Sequence, residues 1–198
     1  MFRRIIDSIR KIFHRIYSLY KRLYFKRCGK RLFIKHPCYV FGGSMIVIGD
    51  NFHAEKRLRL EALRNGNRDP KIFIGNNVEI TWDCHIGAIN RIEIDDNVLI
   101  GSRVLITDHS HGHIPPISAD VAPIRRELYS KGPVKICKNV WIGEGASILP
   151  GVTIGENTII GAGSVVTHSL PANCVAAGVP AKIIKTFLFS FLCLKKKI

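Results

Sequence analysis

The chain has 198 residues, with 30 Lys+Arg against 15 Asp+Glu and a formal net charge of +15. At roughly 100–200 residues per domain it holds one domain, and 46% hydrophobic content excludes a largely disordered chain. No run of about 18 uncharged apolar residues is present, which excludes a spanning helix, and the charged N-terminus lacks the apolar core of a secretory signal.

The charge sits at the ends. Residues 1–31 hold eleven Lys/Arg and one acid, Asp7. There, Phe2, Ile5, Ile6, Ile9, Ile12, Phe13, Ile16, Leu19 and Leu23 recur at helical spacing, with Arg3, Arg4, Arg10, Lys11, Arg15, Lys21 and Arg22 between them. This predicts a basic amphipathic helical segment over 1–31, suited to an anionic membrane surface. The body from 32 to 194 carries sixteen bases and fourteen acids. That near balance argues against nucleic acid, which needs a basic face on the folded part.

From Ile74 the apolar residues change rhythm. Ile74, Ile80 and Ile86 lie six apart, and after a two-residue slip Ile94, Ile100 and Ile106 continue. A second block repeats the spacing at Ile136, Ile142, Ile148, Ile154, Ile160 and Val166. Four residues after members of these sets come Val78, Val98, Val104, Val140, Ala146, Val152, Thr158 and Ser164. A period of six cannot hold one face of a helix, but it fits short strands joined by tight corners. Asn76-Asn77, Asp95-Asp96-Asn97 and Glu156-Asn157 fall where corners belong. The rhythm predicts a parallel β-helix over 32–185, with three hexads to a coil and its aliphatic residues stacked inward. The two blocks make about four coils, and Ile46–Asn51 is read as part of another.

Residues 107–135 break the rhythm with Pro115, Pro116, Pro123, Pro133 and three histidines. A loop of this length in a compact domain marks function. Six scattered cysteines without a C-x-x-C pair read as reduced thiols. The tail, 186–198, carries the apolar run from Phe187 to Leu194 and then three lysines, either a second membrane signal or a cap on the repeat stack.

Trp141-Ile142-Gly143, the run from Gly161 to Thr167 (G-A-G-S-V-V-T) and Ala177-Gly178-Val179-Pro180-Ala181-Lys182 together resemble the hexapeptide-repeat acyltransferases. The branch indicated is that of the galactoside and maltose O-acetyltransferases, with those of capsule, exopolysaccharide and lipopolysaccharide. The resemblance covers roughly residues 70–185. It implies a left-handed β-helix, acetyl-CoA as donor, no metal, and a homotrimer with sites between subunits. It further implies a saccharide acceptor, and the membrane-suited ends suggest a lipid-linked or nascent glycan at the cytoplasmic face of the cell membrane.

Acyl transfer to a hydroxyl needs a base, and neutral imidazole serves near pH 7. The resemblance places that role on His109, where the last upstream hexad opens into the loop. Asp108 is an orienting group or an acceptor contact, although neighbouring side chains on an extended segment point apart, which favours a plain loop charge. Asp83 and His111 are further acceptor candidates. For the coenzyme the resemblance implies Trp141 as a wall, small residues Gly143, Gly161 and Ala162 at coil corners, the backbone at Ala162 and Thr167, and cations at Lys182 and Lys185. The chain carries His168 where lysine is common after that threonine. Tyr129 and Lys131 lie in the loop without a feature that selects them. His109, His111 and His113 alternate and would face one way on a strand, so a zinc lyase on the same fold is a second reading, and a non-catalytic membrane scaffold a third.

Overall fold

A computed structural model describes residues 2–65, 71–113 and 120–187. It opens with a helix, α1 (Phe2–Arg22), after which the chain turns to short strands. These visit three parallel sheets in rotation. The first sheet stacks Arg27–Cys28, Ile46–Ile48, Lys71–Ile74, Arg91–Ile94, Val134–Ile136 and Thr153–Ile154. The second stacks Phe33–Ile34, His53–Ala54, Glu79–Ile80, Leu99–Ile100, Trp141–Ile142, Ile159–Ile160 and Cys174–Gly178, and the third Cys38–Phe41, Leu58–Ala62, His85–Ala88, Leu105–Thr107, Ser147–Ile148 and Val165–Val166. A last strand, Ala181–Thr186, folds back antiparallel on Cys174–Gly178.

The six-residue spacing works as the sequence suggests. Ile136, Ile142, Ile148 and Ile154 are fully buried, and so are Ile80, Ile86, Ile100 and Ile106. The second set lies inside as well: Val78, Val98, Val140, Ala146, Thr158 and Ser164 are at most 1% exposed. Register pairs like with like, as in Ile94↔Ile136↔Ile154 and Ile100↔Ile142↔Ile160. The core is therefore a column of β-branched side chains, each worth about 1.5–3 kcal/mol of burial. Corners between the first and second sheets use Asn51, Asn77, Asn97, Asn139, Asn157 and Asn173, all with φ between 55° and 60°. Asparagine tolerates this left-handed conformation better than other residues with a Cβ. Its amide also joins the next corner: Asn51 donates to Asn77 (2.7 Å), Asn77 to Asn97 (2.9 Å) and Asn157 to Asn173 (2.8 Å).

Three differences from the sequence reading stand out. The described strands complete six turns rather than about four and part of another, and the stack starts at Arg27, five residues before the expected boundary. The first two turns are filled by Phe25, Phe52, Leu58 and Leu60 alongside isoleucines, so their spacing is not marked in the same way. The long loop is a hairpin at its root, where Ser110–His111 pairs antiparallel with Leu128–Tyr129, and Asn65 ties it down by donating to the Leu128 carbonyl (2.7 Å). Pro115 and Pro116, and the tail beyond Phe187 with Lys195–Lys197, lie outside the described residues. Among the described residues no helix is long and apolar enough to cross a membrane.

Candidate active site

Thr107 ends a strand of the third sheet, and Leu149 and Thr167 each follow one, stacked by the register Ile106↔Ile148↔Val166. At this exit corner, under the root of the hairpin, a cavity of about 460 Å³ opens. Leu149 and Pro150 give it an apolar wall, and Thr107, Thr167, His168, Tyr129, Lys131 and His109 supply polar groups. The structure thus joins Tyr129 and Lys131, which no sequence feature singled out, to His109.

The His109 side chain is 14% exposed. Its Nδ1 lies 3.1 Å from Asp108 Oδ1 and 3.2 Å from Thr107 Oγ1. The Asp108 carboxylate is fully buried and accepts three backbone N–H groups, from Ile89 (2.9 Å), Asn90 (2.8 Å) and Arg91 (2.7 Å). These N–H groups line the tight corner from His85–Ala88 into Arg91–Ile94, the place where the hexad rhythm slips. A corner this tight points consecutive donors in one direction, and the carboxylate one turn above takes them all. An acceptor facing Nδ1 assigns the ring proton to that nitrogen and leaves Nε2 with its lone pair. The readings of Asp108 as an acceptor contact or a plain loop charge are corrected: its carboxylate is buried on backbone N–H groups and faces His109 Nδ1, an arrangement that fits the orienting reading.

Gly87 makes room for this ring. It lies beside Thr107 in the third sheet, and a Cβ there would stand 3.2 Å from His85 Nε2 and 3.4 Å from His109 Cε1. His85 therefore borders the site. Its Nε2 meets Glu61 Oε2 at 3.0 Å, and Arg59 Nε donates to Glu61 Oε1 at 2.7 Å. Burial pushes the His85 pKa down, and Glu61 only partly offsets it. Burial alone would raise Glu61, but Arg59 and His85 hold it below the ordinary glutamate value. The available sequence signal was register: 61, 87 and 107 fall in one outward row.

Other expected site residues stand elsewhere. Asp83 sits at the corner between the second and third sheets with φ 62°, and Arg57 grips both its oxygens, one through Nη2 at 2.7 Å. Within one chain that corner lies apart from the His109 cavity, which Asp83 does not line. His111 is exposed on the hairpin and does not line the cavity. The alternation of three histidines is broken by Gly112 at φ 90°, and His113 lies against the Tyr129 ring at 3.6 Å between centroids. Among the described residues no three His, Cys, Asp or Glu side chains converge to hold a metal.

Of the coenzyme candidates, Thr167 shares the cavity with His109. Trp141 is 51% exposed on the second sheet, as alternation requires, and Gly143, Gly161 and Ala162 occupy its exit toward the third. A Cβ on Gly143 would stand 2.6 Å from the Ala162 nitrogen, and one on Gly161 2.8 Å from the Ala177 Cβ. Close stacking of coils therefore already requires both glycines. Lys182 and Lys185 are exposed on the final antiparallel strand. Within one chain Gly143, Gly161 and Ala162 lie where strands enter the third sheet, and His109 lies where one leaves it.

The description "Bacterial transferase hexapeptide (six repeats)" matches residues 133–168. WbbJ of Escherichia coli, whose name provisionally gives it as a lipopolysaccharide biosynthesis O-acetyl transferase, is 40% identical over 173 residues, covering 85% of this chain and 84% of its own. A galactoside O-acetyltransferase of Escherichia coli is 35% identical over 173 residues, covering 85% of this chain and 66% of that protein. Among solved structures, a galactoside acetyltransferase in complex with coenzyme A superposes with a TM-score of 0.59 at 32% identity, over 83% of this chain and 66% of that one. AntD, an N-acyltransferase from Bacillus cereus, gives a TM-score of 0.70 over 86% and 87% of the two chains, and at 24% identity it speaks to the fold alone.

Proposed function

This chain belongs to the hexapeptide-repeat acyltransferases, in the branch of the galactoside and lipopolysaccharide O-acetyltransferases, and from that premise we propose that it transfers acetyl from acetyl-CoA to a sugar hydroxyl of a surface polysaccharide, with His109 as general base. The observation that carries the mechanism is the chain of contacts from three backbone N–H groups through Asp108 to His109 Nδ1. It fixes one tautomer and presents Nε2 as the base. Nε2 takes the proton of the acceptor hydroxyl as its oxygen attacks the thioester carbonyl. The tetrahedral intermediate then collapses, the C–S bond breaks, and the imidazolium returns the proton to the departing thiolate. General-base assistance of this kind supplies about 10²–10⁴ in rate.

The cavity beside His109 suits the acyl end of the donor. Leu149 and Pro150 would pack the pantetheine arm, and Thr167 would meet it through its backbone. In this reading the three-sided coil is left-handed and three copies assemble around an axis. A neighbour then brings Trp141, Gly143, Gly161 and Ala162, with Lys182 and Lys185 for the phosphates, against the His109 corner of the next subunit. Their separation within a single chain supports that arrangement. The acceptor approaches across Gly87, between His109 and the His85–Glu61 pair, and is a glycan in surface-polysaccharide assembly, built at the cytoplasmic face of the cell membrane.

The test supplies labelled acetyl-CoA and candidate glycan acceptors, and follows free thiol and label together. The expected result is thiol release that depends on acceptor, with label in a hydroxylamine-sensitive ester. Label in a hydroxylamine-resistant amide would replace O-transfer with N-transfer. Absence of acyl-CoA binding in calorimetry would leave the scaffold reading in its place.

A further inference from the structure

The helix α1 has two faces with different work. One closes the open edge of the first turn of strands. Ser18, 3% exposed, accepts the Ile34 N–H through Oγ at 2.8 Å, the Tyr17 hydroxyl accepts the Cys38 N–H at 3.0 Å, and His14 Nδ1 accepts the His36 N–H at 3.2 Å. Lys21 is buried on the same side, its ammonium 4.7 Å from the Tyr24 ring centre and 5.5 Å from that of Tyr17. These contacts fix the helix on the stack and account for its buried polar residues among those described.

The other face has no work in the fold. Ile5, Ile9, Ile12, Ile16, Leu19 and Leu23 form one stripe along the helix and are between 49% and 81% exposed, with Phe13 and Tyr20 beside them at 50% each. A patch of this size and continuity on a helix marks an interaction surface. One of its borders is basic. On a 3.6-residue helix Arg4, Lys11, Arg15 and Arg22 run along one side of the stripe, all exposed, while Arg10 and the single acid, Asp7, lie on the opposite face.

We infer that this face of α1 docks on an anionic lipid bilayer, lying in the plane of the interface with the isoleucines below the headgroups and the arginines among them. The charge pattern selects this occupant. The spacing of 9, 12, 16, 19 and 23 would also suit a bundle of helices from several copies, but a bundle offers the basic border of each copy no acid to meet it. A surface of anionic headgroups meets both the apolar stripe and its basic border. This inference is independent of the acetyl-transfer reading, since none of these residues lines the His109 cavity.

The test is flotation of the full chain with vesicles of phosphatidylcholine alone or mixed with phosphatidylglycerol. The expected result is binding to the mixed vesicles, at least about tenfold weaker to the neutral ones and weakened by salt. Ile9→Ser with Ile12→Ser and Ile16→Ser should abolish flotation without lowering the melting temperature, because those side chains are already exposed. Arg4→Gln with Lys11→Gln and Arg15→Gln should also reduce it at least tenfold, and this second variant decides the matter if the first folds poorly. Three results would overturn the proposal: wild-type chain that stays free of anionic vesicles, binding indifferent to the charge substitutions, or a triple-serine variant whose only change is a smaller oligomer.

Discussion

Two corners of the same coil behave in opposite ways. Where the first sheet passes to the second, every described turn from the second onward repeats one solution, an asparagine near φ 57° whose amide reaches the next asparagine. Where the third sheet returns to the first, hardly any two turns agree: two residues separate Ala88 from Arg91, and twenty-six separate Thr107 from Val134. The monotonous corner holds the stack together. The irregular corner holds His109, its cavity and the buried carboxylate behind it. Repetition here marks structure, and the broken repeat marks chemistry, because a catalytic group needs a local arrangement that a periodic ladder cannot supply.

The sharpest break in that comparison is Asp108→Asn. It keeps the volume but offers one acceptor oxygen for three N–H groups and no longer fixes the Nδ1 proton. Thiol release should fall about a thousandfold, and stability by about 2 kcal/mol, read from steady-state kinetics and urea unfolding. Asn97→Ala tests the other corner. It removes the links to Asn77 and Asn139 and leaves alanine at φ 59°, so unfolding should cost about 1–2 kcal/mol less while turnover stays at the wild-type rate. Equal losses of turnover in the two variants would erase the division of labour.

A smaller effect is expected at Gly87, whose φ is ordinary. Gly87→Ala places a methyl against His85 and His109, so turnover should drop about tenfold through displacement of the ring, with stability changed by less than about 1 kcal/mol. The smallest concerns pH. His85 binds its proton less readily in the folded chain than in the unfolded one, so its contribution to stability is complete above pH 6.5 and is lost as pH falls toward its lowered value. Glu61 and Glu93 have lowered pKa values too, and the stability they add is present above about 4.5 and lost below it. The melting temperature should decline gently below pH 6.5 and more steeply below 4.5, and His85→Asn should flatten the first limb alone.

The sequence exposed the inward column, because a six-residue aliphatic spacing has few other physical solutions, and it exposed His109 through the break in that spacing. Apart from Ile46–Asn51 it hid the first two turns, where phenylalanine and leucine fill the column. It hid the role of Asp108 because adjacent side chains were expected to diverge, as they do on a continuing strand. At Asp108 the strand has ended. The overlooked signal was the eight-residue step from Ile86 to Ile94, two longer than the rule, whose tight corner has backbone donors to satisfy, and an acid one coil later in position to satisfy them. His85 was hidden for a different reason: its proximity to His109 depends on register between turns rather than on spacing within one.

The central claim is that the imidazole held by Asp108 takes the acceptor proton. Single-turnover thiol release from acetyl-CoA by His109→Ala, with saturating acceptor, tests it most directly. The account expects a fall of at least about a hundredfold with donor binding and melting temperature unchanged. Release at the wild-type rate would contradict it.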